Sequence, residues 1–446
     1  MAFQQGLSGL NTASKALDVT SNNIANASTV GFKTSATHFA DVYAASLSGG
    51  GASQVGIGSS ASAIVQQYTQ GNITTTSNSL DIAINGSGFY RMSKDGAVTY
   101  SRNGQFHVND SGFIVNDSGA NLTGYLADAN GNVIPTTPAA LRVSTADIAP
   151  QVTGSTSDGV KAELNLDSTK TVPTSPWVAP TGTNTPLTDT YNFSTATTIY
   201  DTLGNAHTLT MYFRKSTPTA AESGATPPAT SAWDVHYQVD GTAEANVKTG
   251  SPLTAGQPVR LAFGSSGKLL TTMPIASSAF EIDLNGVMTN LGRTNNAEPT
   301  LAFNMNFSGT TQYGSSFSVG TLIQDGYAAG HLAGLSIGKD GVVQGNYSNG
   351  QTRNMAQIVL ANFTNPNGLM SVGNNGWIET AASGQPLVGA PNTGTLGVLQ
   401  SGAVEESNVD LTGELVSMIV QQRNYQASAQ SIKTQDQIMQ TMVNLK

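Results

Sequence analysis

Both ends of the chain carry a seven-residue hydrophobic repeat, and that feature restricts the fold more than any other. From about Asp410 to Lys446, Leu411, Met418, Tyr425, Ile432 and Met439 recur at every seventh position, and Leu415, Ala429 and Val443 form a second, interleaved row. A period of seven marks a helical seam that expects a partner. Near the N-terminus Phe3, Leu10, Leu17 and Ile24 repeat with the same period, with Leu7 beside them. Residues 3 to 28 therefore read as a second amphipathic helix, with Gly31 behind it as a stop. Asp410 is placed to cap the last helix, and Glu414 falls in its first turn, where the helix dipole favours a carboxylate.

The first helix is weak on its own. The second row of its stripe is Leu7, Ser14, Ser21 and Ser28, and Asn22, Asn23 and Asn26 are poor helix formers. Burying its four large side chains yields about 6 to 12 kcal/mol, against an ordering cost of about 1 to 2 kcal/mol for each residue. Gln422 and Asp436 interrupt the second row of the last helix, so an isolated hairpin of the two is too poorly filled to stand apart from a core. Packing among many copies completes such a seam. The candidate self-assembly residues are thus Phe3, Leu7, Leu10, Leu17 and Ile24 at one end, and Leu411, Leu415, Met418, Tyr425, Ile432, Met439 and Val443 at the other.

Between the helices the period falls to two. After a Ser-, Gly- and Ala-rich stretch with a small cluster at Phe39, Val42 and Tyr43, the runs Leu80, Ile82, Ile84 and Phe106, Val108 alternate as strands do. Asp95-Gly96, Asn103-Gly104, Ser111-Gly112, Ser118-Gly119 and Asn130-Gly131 punctuate them as hairpin turns. Past about Pro150 the composition shifts to Thr and Pro. A second set of strands follows, such as Trp233, Val235, Tyr237, Val239 and Leu301, Phe303, Met305, Phe307, with Ser216 to Ser231 as a long loop. After Gln324 the first grammar returns.

The fold class is therefore mainly β: two nested all-β domains, with N- and C-terminal α-helices that form a coiled-coil pair on assembly. The partition places the terminal coiled-coil domain at 1–28 and 405–446, a connector at 29–70 and 399–404, a middle β-domain at 71–148 and 323–398, and an inserted β-domain, sandwich or barrel, at 149–322. Removal of 1–28 and 405–446 is expected to leave a folded β-monomer that cannot polymerise.

Charged residues make up 11% of the chain, well under the roughly 25% of ordinary soluble domains. The 19 Lys and Arg form no basic cluster, and the net charge is −9, which argues against nucleic acid as a partner. Cysteine is absent, so disulfides and thiolate metal sites are impossible. No apolar stretch approaches the roughly 20 residues of a membrane span, and no basic-then-apolar leader opens the sequence. Export, if it occurs, is expected to proceed without a cleaved signal peptide.

No chemistry-bearing constellation stands out. His38, His107, His207, His236 and His331 are scattered without metal spacing and read as ordinary strand or turn residues. Asp128, Asn130 and Asn132 begin like a calcium loop but lack the closing acidic ligand, so a turn is the better reading. Gly86 and Gly88 lack the third glycine and the helix of a dinucleotide site. No carboxylate pair is evident, so catalytic, cofactor and metal residues are all assigned as none. A secreted carbohydrate-active β-enzyme is the alternative from another class.

Specific strings carry a resemblance. Ser8-Gly-Leu-Asn-Thr-Ala-Ser-Lys-Ala-Leu-Asp-Val19, Ser21-Asn-Asn-Ile-Ala-Asn26 and Val30-Gly-Phe-Lys33 closely resemble the N-terminal motif of the bacterial flagellar rod and hook proteins. Glu406-Ser-Asn-Val-Asp-Leu411, Gln422-Arg-Asn-Tyr-Gln-Ala427 and Gln437-Ile-Met-Gln-Thr-Met-Val-Asn-Leu445 resemble the C-terminal helix of that family. Asp81-Ile-Ala-Ile-Asn-Gly-Ser-Gly-Phe89 and Tyr100-Ser-Arg-Asn-Gly-Gln-Phe106 look like its shared β-domain. Tyr200-Asp-Thr-Leu-Gly-Asn-Ala-His207, Gly345-Asn-Tyr-Ser-Asn-Gly350 and Gln357-Ile-Val-Leu-Ala-Asn-Phe363 look like hook-type segments, whereas a distal rod subunit would lack so large an insertion.

The resemblance implies a subunit of a curved tubular polymer at the cell exterior, exported through the flagellar apparatus. Its implied partners are further copies of itself, the rod, the hook cap and the hook-filament junction proteins. It implies a universal joint that transmits torque from rod to filament, with terminal helices lining an export channel. A surface of uncharged Ser, Thr, Asn and Gly suits sliding contacts, because fixed ion pairs would lock one spacing.

Overall fold

The computed structural model describes residues 2–42, 56, 58–128, 130–156, 159–224, 226–250, 252–270 and 277–444. The chain divides into two compact units, one of 1–145, 333–346 and 352–446, the other of 146–332 and 347–351.

The first unit is closed by concentric pairing of early strands with late ones. Ile73–Thr75 pairs with Ala403–Glu405, and Ile82–Asn85 with Val398–Ser401. Further in, Ala97–Ser101 pairs with Gly376–Ile378, Phe89–Lys94 with Leu360–Asn362, and Asn121–Leu126 with Thr352–Ile358. The order is nested from the outermost pair inward, except that Phe89–Lys94 takes the earlier partner, Leu360–Asn362, and Ala97–Ser101 the later one, Gly376–Ile378. The insertion therefore enters at the innermost turn of a nested sheet and breaks no ladder. Asp95-Gly96 joins Phe89–Lys94 to Ala97–Ser101 with both residues at positive φ, the backbone a two-residue hairpin requires.

One face of this sheet carries an aromatic cluster. Phe89 packs edge-on against Tyr68, Phe363 and Trp377, with ring centroids 5.6 to 6.0 Å apart. Tyr100 meets Phe363 at 4.8 Å in the same T-shaped manner, the geometry that ring quadrupoles favour.

The second unit is a β-sandwich. A four-stranded antiparallel sheet, Phe193–Tyr200, Ala206–Ser216, Ser231–Val239 and Val259–Phe263, shares one core with a seven-stranded sheet built around Val160–Asp167. Inward residues alternate along each strand as the period-two pattern requires: Leu209, Met211, Phe213 and Trp233, Val235, Tyr237 from one sheet, Phe280, Ile282 and Leu301, Phe303, Met305 from the other. The Ser216 to Ser231 loop contains one helical turn, Ala220–Ser223, closed by a Thr219–Glu222 capping box.

Three local expectations are corrected. The first helix ends at Ala25 rather than at residue 28. Gly31 does not cap it; its amide donates to the Glu405 carbonyl at 2.8 Å instead. The Ser-, Gly- and Ala-rich connector is not featureless: Ser35–Val42 and Gly58–Gln66 form an antiparallel hairpin. Its Ser- and Ala-rich strands carry too little hydrophobic alternation to be recognised from pattern alone. Phe39 and Val42 lie on this hairpin, whereas Tyr43 falls outside the described residues. Asp128 is a turn residue as expected, its carboxylate accepting from the Asn130 and Asn132 amides at 2.8 Å.

Candidate functional site

The N-terminal helix, Ala2–Ala25, lies antiparallel to the C-terminal helix, Leu411–Asn444. Gly6 faces Ile432 at one end and Asn23 bonds Glu414 at the other. The first-helix face that turns inward is not the large apolar stripe. Gly6, Ala13, Ala16, Thr20 and Asn23 are buried, with Gly9 on the same row. Their spacing of three and four is itself a heptad, made of small and polar residues. A Cβ on Gly6 would stand 3.0 Å from Ile432 Cγ1, and one on Gly9 would stand 2.9 Å from Ser428 Oγ, so the absence of side chains sets the close approach.

The predicted assembly residues divide accordingly. Met418 and Ile432 are half-buried on the pairing side of the last helix, whereas Tyr425, between them on the same row, is 38% exposed. Leu10, Leu17 and Ile24 are half-buried. Phe3, Leu7, Leu411, Leu415, Met439 and Val443 are exposed, Phe3 at 53% and Val443 at 72%. The last helix also leaves Val416, Ile419, Val420, Ile438 and Met442 uncovered. Because Gly6 faces Ile432, the final turns of the 34-residue helix run past the start of the 24-residue one.

A hairpin braces the pair. Gln5 Nε2 donates to the Gly56 carbonyl at 2.7 Å, and the Ser59 amide donates to Ser8 Oγ at 3.3 Å. Asn23 explains its unfavourable place in a helix: its amide exchanges two hydrogen bonds with the Ser35 backbone, at 2.9 and 3.0 Å, while also donating to Glu414 Oε1 at 2.9 Å. Asn408 joins the network, accepting from Thr34 N and donating to Gln67 and Thr69. Asp410 caps the last helix by accepting from the Thr412 amide at 3.0 Å.

Beneath this brace lies a charged centre that no sequence motif declares. Lys33 Nζ meets Glu405 Oε1 at 2.5 Å, and Arg102 Nη1 meets Glu405 Oε2 at 3.0 Å, with all three side chains buried. Further bonds support the centre: Lys33 also donates to the Thr69 carbonyl, Arg102 Nη2 to the Gly86 carbonyl, and the Gly71 amide to Glu405 Oε1, while Arg102 Nε is buried without a partner. The guanidinium sits 5.4 Å from the Phe89 ring centroid, a cation–π contact. Burial holds the Lys33 ammonium below the ordinary lysine range, against the opposing pull of Glu405. Gly31, at φ +71°, lets the chain pass over this centre; a Cβ there would lie 2.6 Å from Asn103 N.

Lys33 ends the first resembling string, Arg102 lies inside the β-domain string, and Glu405 immediately precedes the C-terminal one. Three distant segments thus converge on one carboxylate. Two cations inside short motifs of so lightly charged a chain are the signal from which the centre was findable.

Comparison with known proteins agrees with this layout. Residues 3–33 match the family model described as flagella basal body rod protein, and 83–152 match the flagellar hook protein FlgE/F/G D1 domain. Residues 165–327 match the flagellar basal body protein FlaE D2 domain, and 400–445 the flagellar basal body rod FlgEFG protein C-terminal model. The flagellar hook protein FlgE of Escherichia coli is 39% identical over 454 residues, with all of both chains covered. The chain belongs to the flagellar hook protein family. Other hook proteins follow at full coverage of this chain: 38% identity in Salmonella typhimurium, with 100% of the relative covered, and 30% in Borreliella burgdorferi, with 99% covered. The crystal structure of Helicobacter pylori flagellar hook protein FlgE2 shares the fold at a TM-score of 0.50 and 13% identity, covering 74% of this chain and all of that one. Among the described residues no helix is long and apolar enough to cross a membrane.

Proposed function

We propose that the chain is the structural subunit of a flagellar hook and polymerises through its terminal helices into a curved tube. The observation that carries this reading is the exposed apolar surface of the helix pair. Phe3, Leu7, Leu415, Met439 and Val443 are exposed on a pair whose inner face is already filled by small residues. Exposed apolar side chains in this number call for cover, and identical copies supply it.

In that tube the segments 1–28 and 405–446 line the channel, 29–70 and 399–404 connect, 71–148 with 323–398 form the middle layer, and 149–322 forms the outer one. The assembly stands outside the cell. It contacts the rod at one end, and the hook cap and later the hook-filament junction proteins at the other. It passes exported subunits and transmits torque while bending, a structural rather than a catalytic role. The low charged fraction of the chain, 11%, supports this reading, because contacts with few fixed ion pairs can shift at little electrostatic cost.

Electron microscopy of the purified full-length chain tests the proposal. Curved tubes are expected from the unaltered chain, and none from a Phe3→Ser/Val443→Ser variant that remains a folded monomer. Tubes of normal shape from that variant would overturn the role given to the exposed surface.

A further inference from the structure

His207 closes the string Tyr200 to His207, yet neither the helix pair nor the charged centre uses it. In the second unit it sits near the start of strand Ala206–Ser216, 2% exposed, at the floor of an 850 Å³ surface cavity. Its Nδ1 lies 2.7 Å from Asp240 Oδ2. Its Nε2 faces Asp201 Oδ2 at 3.6 Å and has no hydrogen-bond partner. Asp201 is buried too, and its oxygens already accept from the Leu203 and Asn205 amides and from Asn205 Nδ2. Asp240 Oδ1 accepts from the Thr208 amide. One imidazole therefore stands between two turns, 201–205 and 240–241. Arg293, exposed on the loop after helix Leu284–Asn290, is the other charged group lining the cavity among the described residues.

The protonation state of the ring decides whether both turns are held. An imidazolium carries a proton on each nitrogen and so attracts both carboxylates. A neutral ring carries one. If that proton stays on Nδ1 for Asp240, a bare Nε2 lone pair faces the Asp201 carboxylate, acceptor against acceptor. If it moves to Nε2, the 2.7 Å contact with Asp240 loses its donor.

We propose that Asp201, His207 and Asp240 form a proton-operated latch, closed while the ring is charged and releasing the 201–205 turn, and with it the cavity mouth, when the proton leaves. The Asp240 hydrogen bond, opposed by burial and aided by Asp201, holds His207 above the ordinary histidine range. The latch contribution is complete below the unfolded-state pKa of about 6.5 and is lost as pH rises through the higher folded value.

Hydrogen exchange of the full-length chain, corrected for the intrinsic pH dependence, tests this between about pH 6 and 9. Peptides covering 201–206 and 240–242 should lose protection on the order of tenfold as pH rises, while the 231–239 strand does not change. Asp240→Asn should move that step to lower pH, and His207→Gln should abolish it. The proposal fails if protection of 201–206 is independent of pH in the unaltered chain. It also fails if the step survives in His207→Gln or stays at the same pH in Asp240→Asn. Should His207→Gln not fold, the Asp240→Asn shift alone decides.

Discussion

Lys33 and Glu405, 372 residues apart in sequence, share a 2.5 Å contact inside the first unit, with Arg102 on the other carboxylate oxygen. The centre holds two cations and one anion, so its members are not equivalent. Glu405→Gln leaves two buried cations facing each other and should cost about 3 to 5 kcal/mol. Lys33→Met leaves an intact Arg102–Glu405 pair and should cost clearly less. Hydrogen exchange in Ile73–Thr75 and Ala403–Glu405 reports on this centre separately from the sandwich. Equal losses in the two variants would show that charge balance is not what the centre supplies.

The same carboxylate sharpens the truncation experiment. A fragment of residues 29–404 keeps Lys33 and Arg102 but discards their counter-ion, because Glu405 ends the strand that pairs with Ile73–Thr75. A fragment of 29–406 keeps it. The longer fragment should melt higher, by on the order of 10 °C, and both should fail to form tubes. Identical melting temperatures would place the centre outside what stabilises the β-domain.

The two faces of the first helix predict opposite phenotypes. Gly6→Val drives a branched side chain into Ile432, 3.0 Å from where its Cβ would begin, and should weaken helix pairing in the monomer, read as lost helical circular dichroism. Leu7→Ser, on the exposed surface, should leave the monomer spectrum and melting unchanged, within about 0.5 kcal/mol, yet block polymerisation. A Leu7→Ser variant that polymerises normally would reverse the assignment of the faces.

Long, strongly periodic features were legible in the sequence, and inverse or sparse ones were not. Leu209, Met211, Phe213 and Trp233, Val235, Tyr237 declare a sandwich because every second side chain is large. The terminal helices are declared by Met418, Tyr425 and Ile432. Periodicity, however, reports where large side chains are, not which face packs first. At Gly6, Gly9, Ala13 and Ala16 the inward face is the one with least to show, since close approach requires small residues. Glu405 and Lys33 meet through chain closure, which leaves no local signature. His207 and His236 look like isolated polar strand residues until the turns bring Asp240 and Glu244 within 2.7 Å of their rings.

Buried tyrosines give the protein an alkaline limit. Burial pushes the Tyr68 hydroxyl up to about 12, while Tyr90 and Tyr237 are driven well above the ordinary value by the same cause. Tyr100 also rises, through burial and then its hydrogen bond to Glu379. A tyrosine whose folded pKa is raised keeps its proton where the unfolded chain, titrating near pH 10, has lost it. Folding then binds protons, so stability is complete below about pH 10 and falls as pH climbs toward 12. Tyr68 offers a clean test because its hydroxyl donates to Gln66 Oε1, which also accepts from Trp377 Nε1. Tyr68→Phe keeps the ring in the aromatic cluster and removes the proton. Melting temperatures across this range should therefore fall less steeply in Tyr68→Phe, by up to one proton per molecule. A slope identical to that of the unaltered chain would mean that Tyr68 ionises as freely in the folded protein as in the unfolded one.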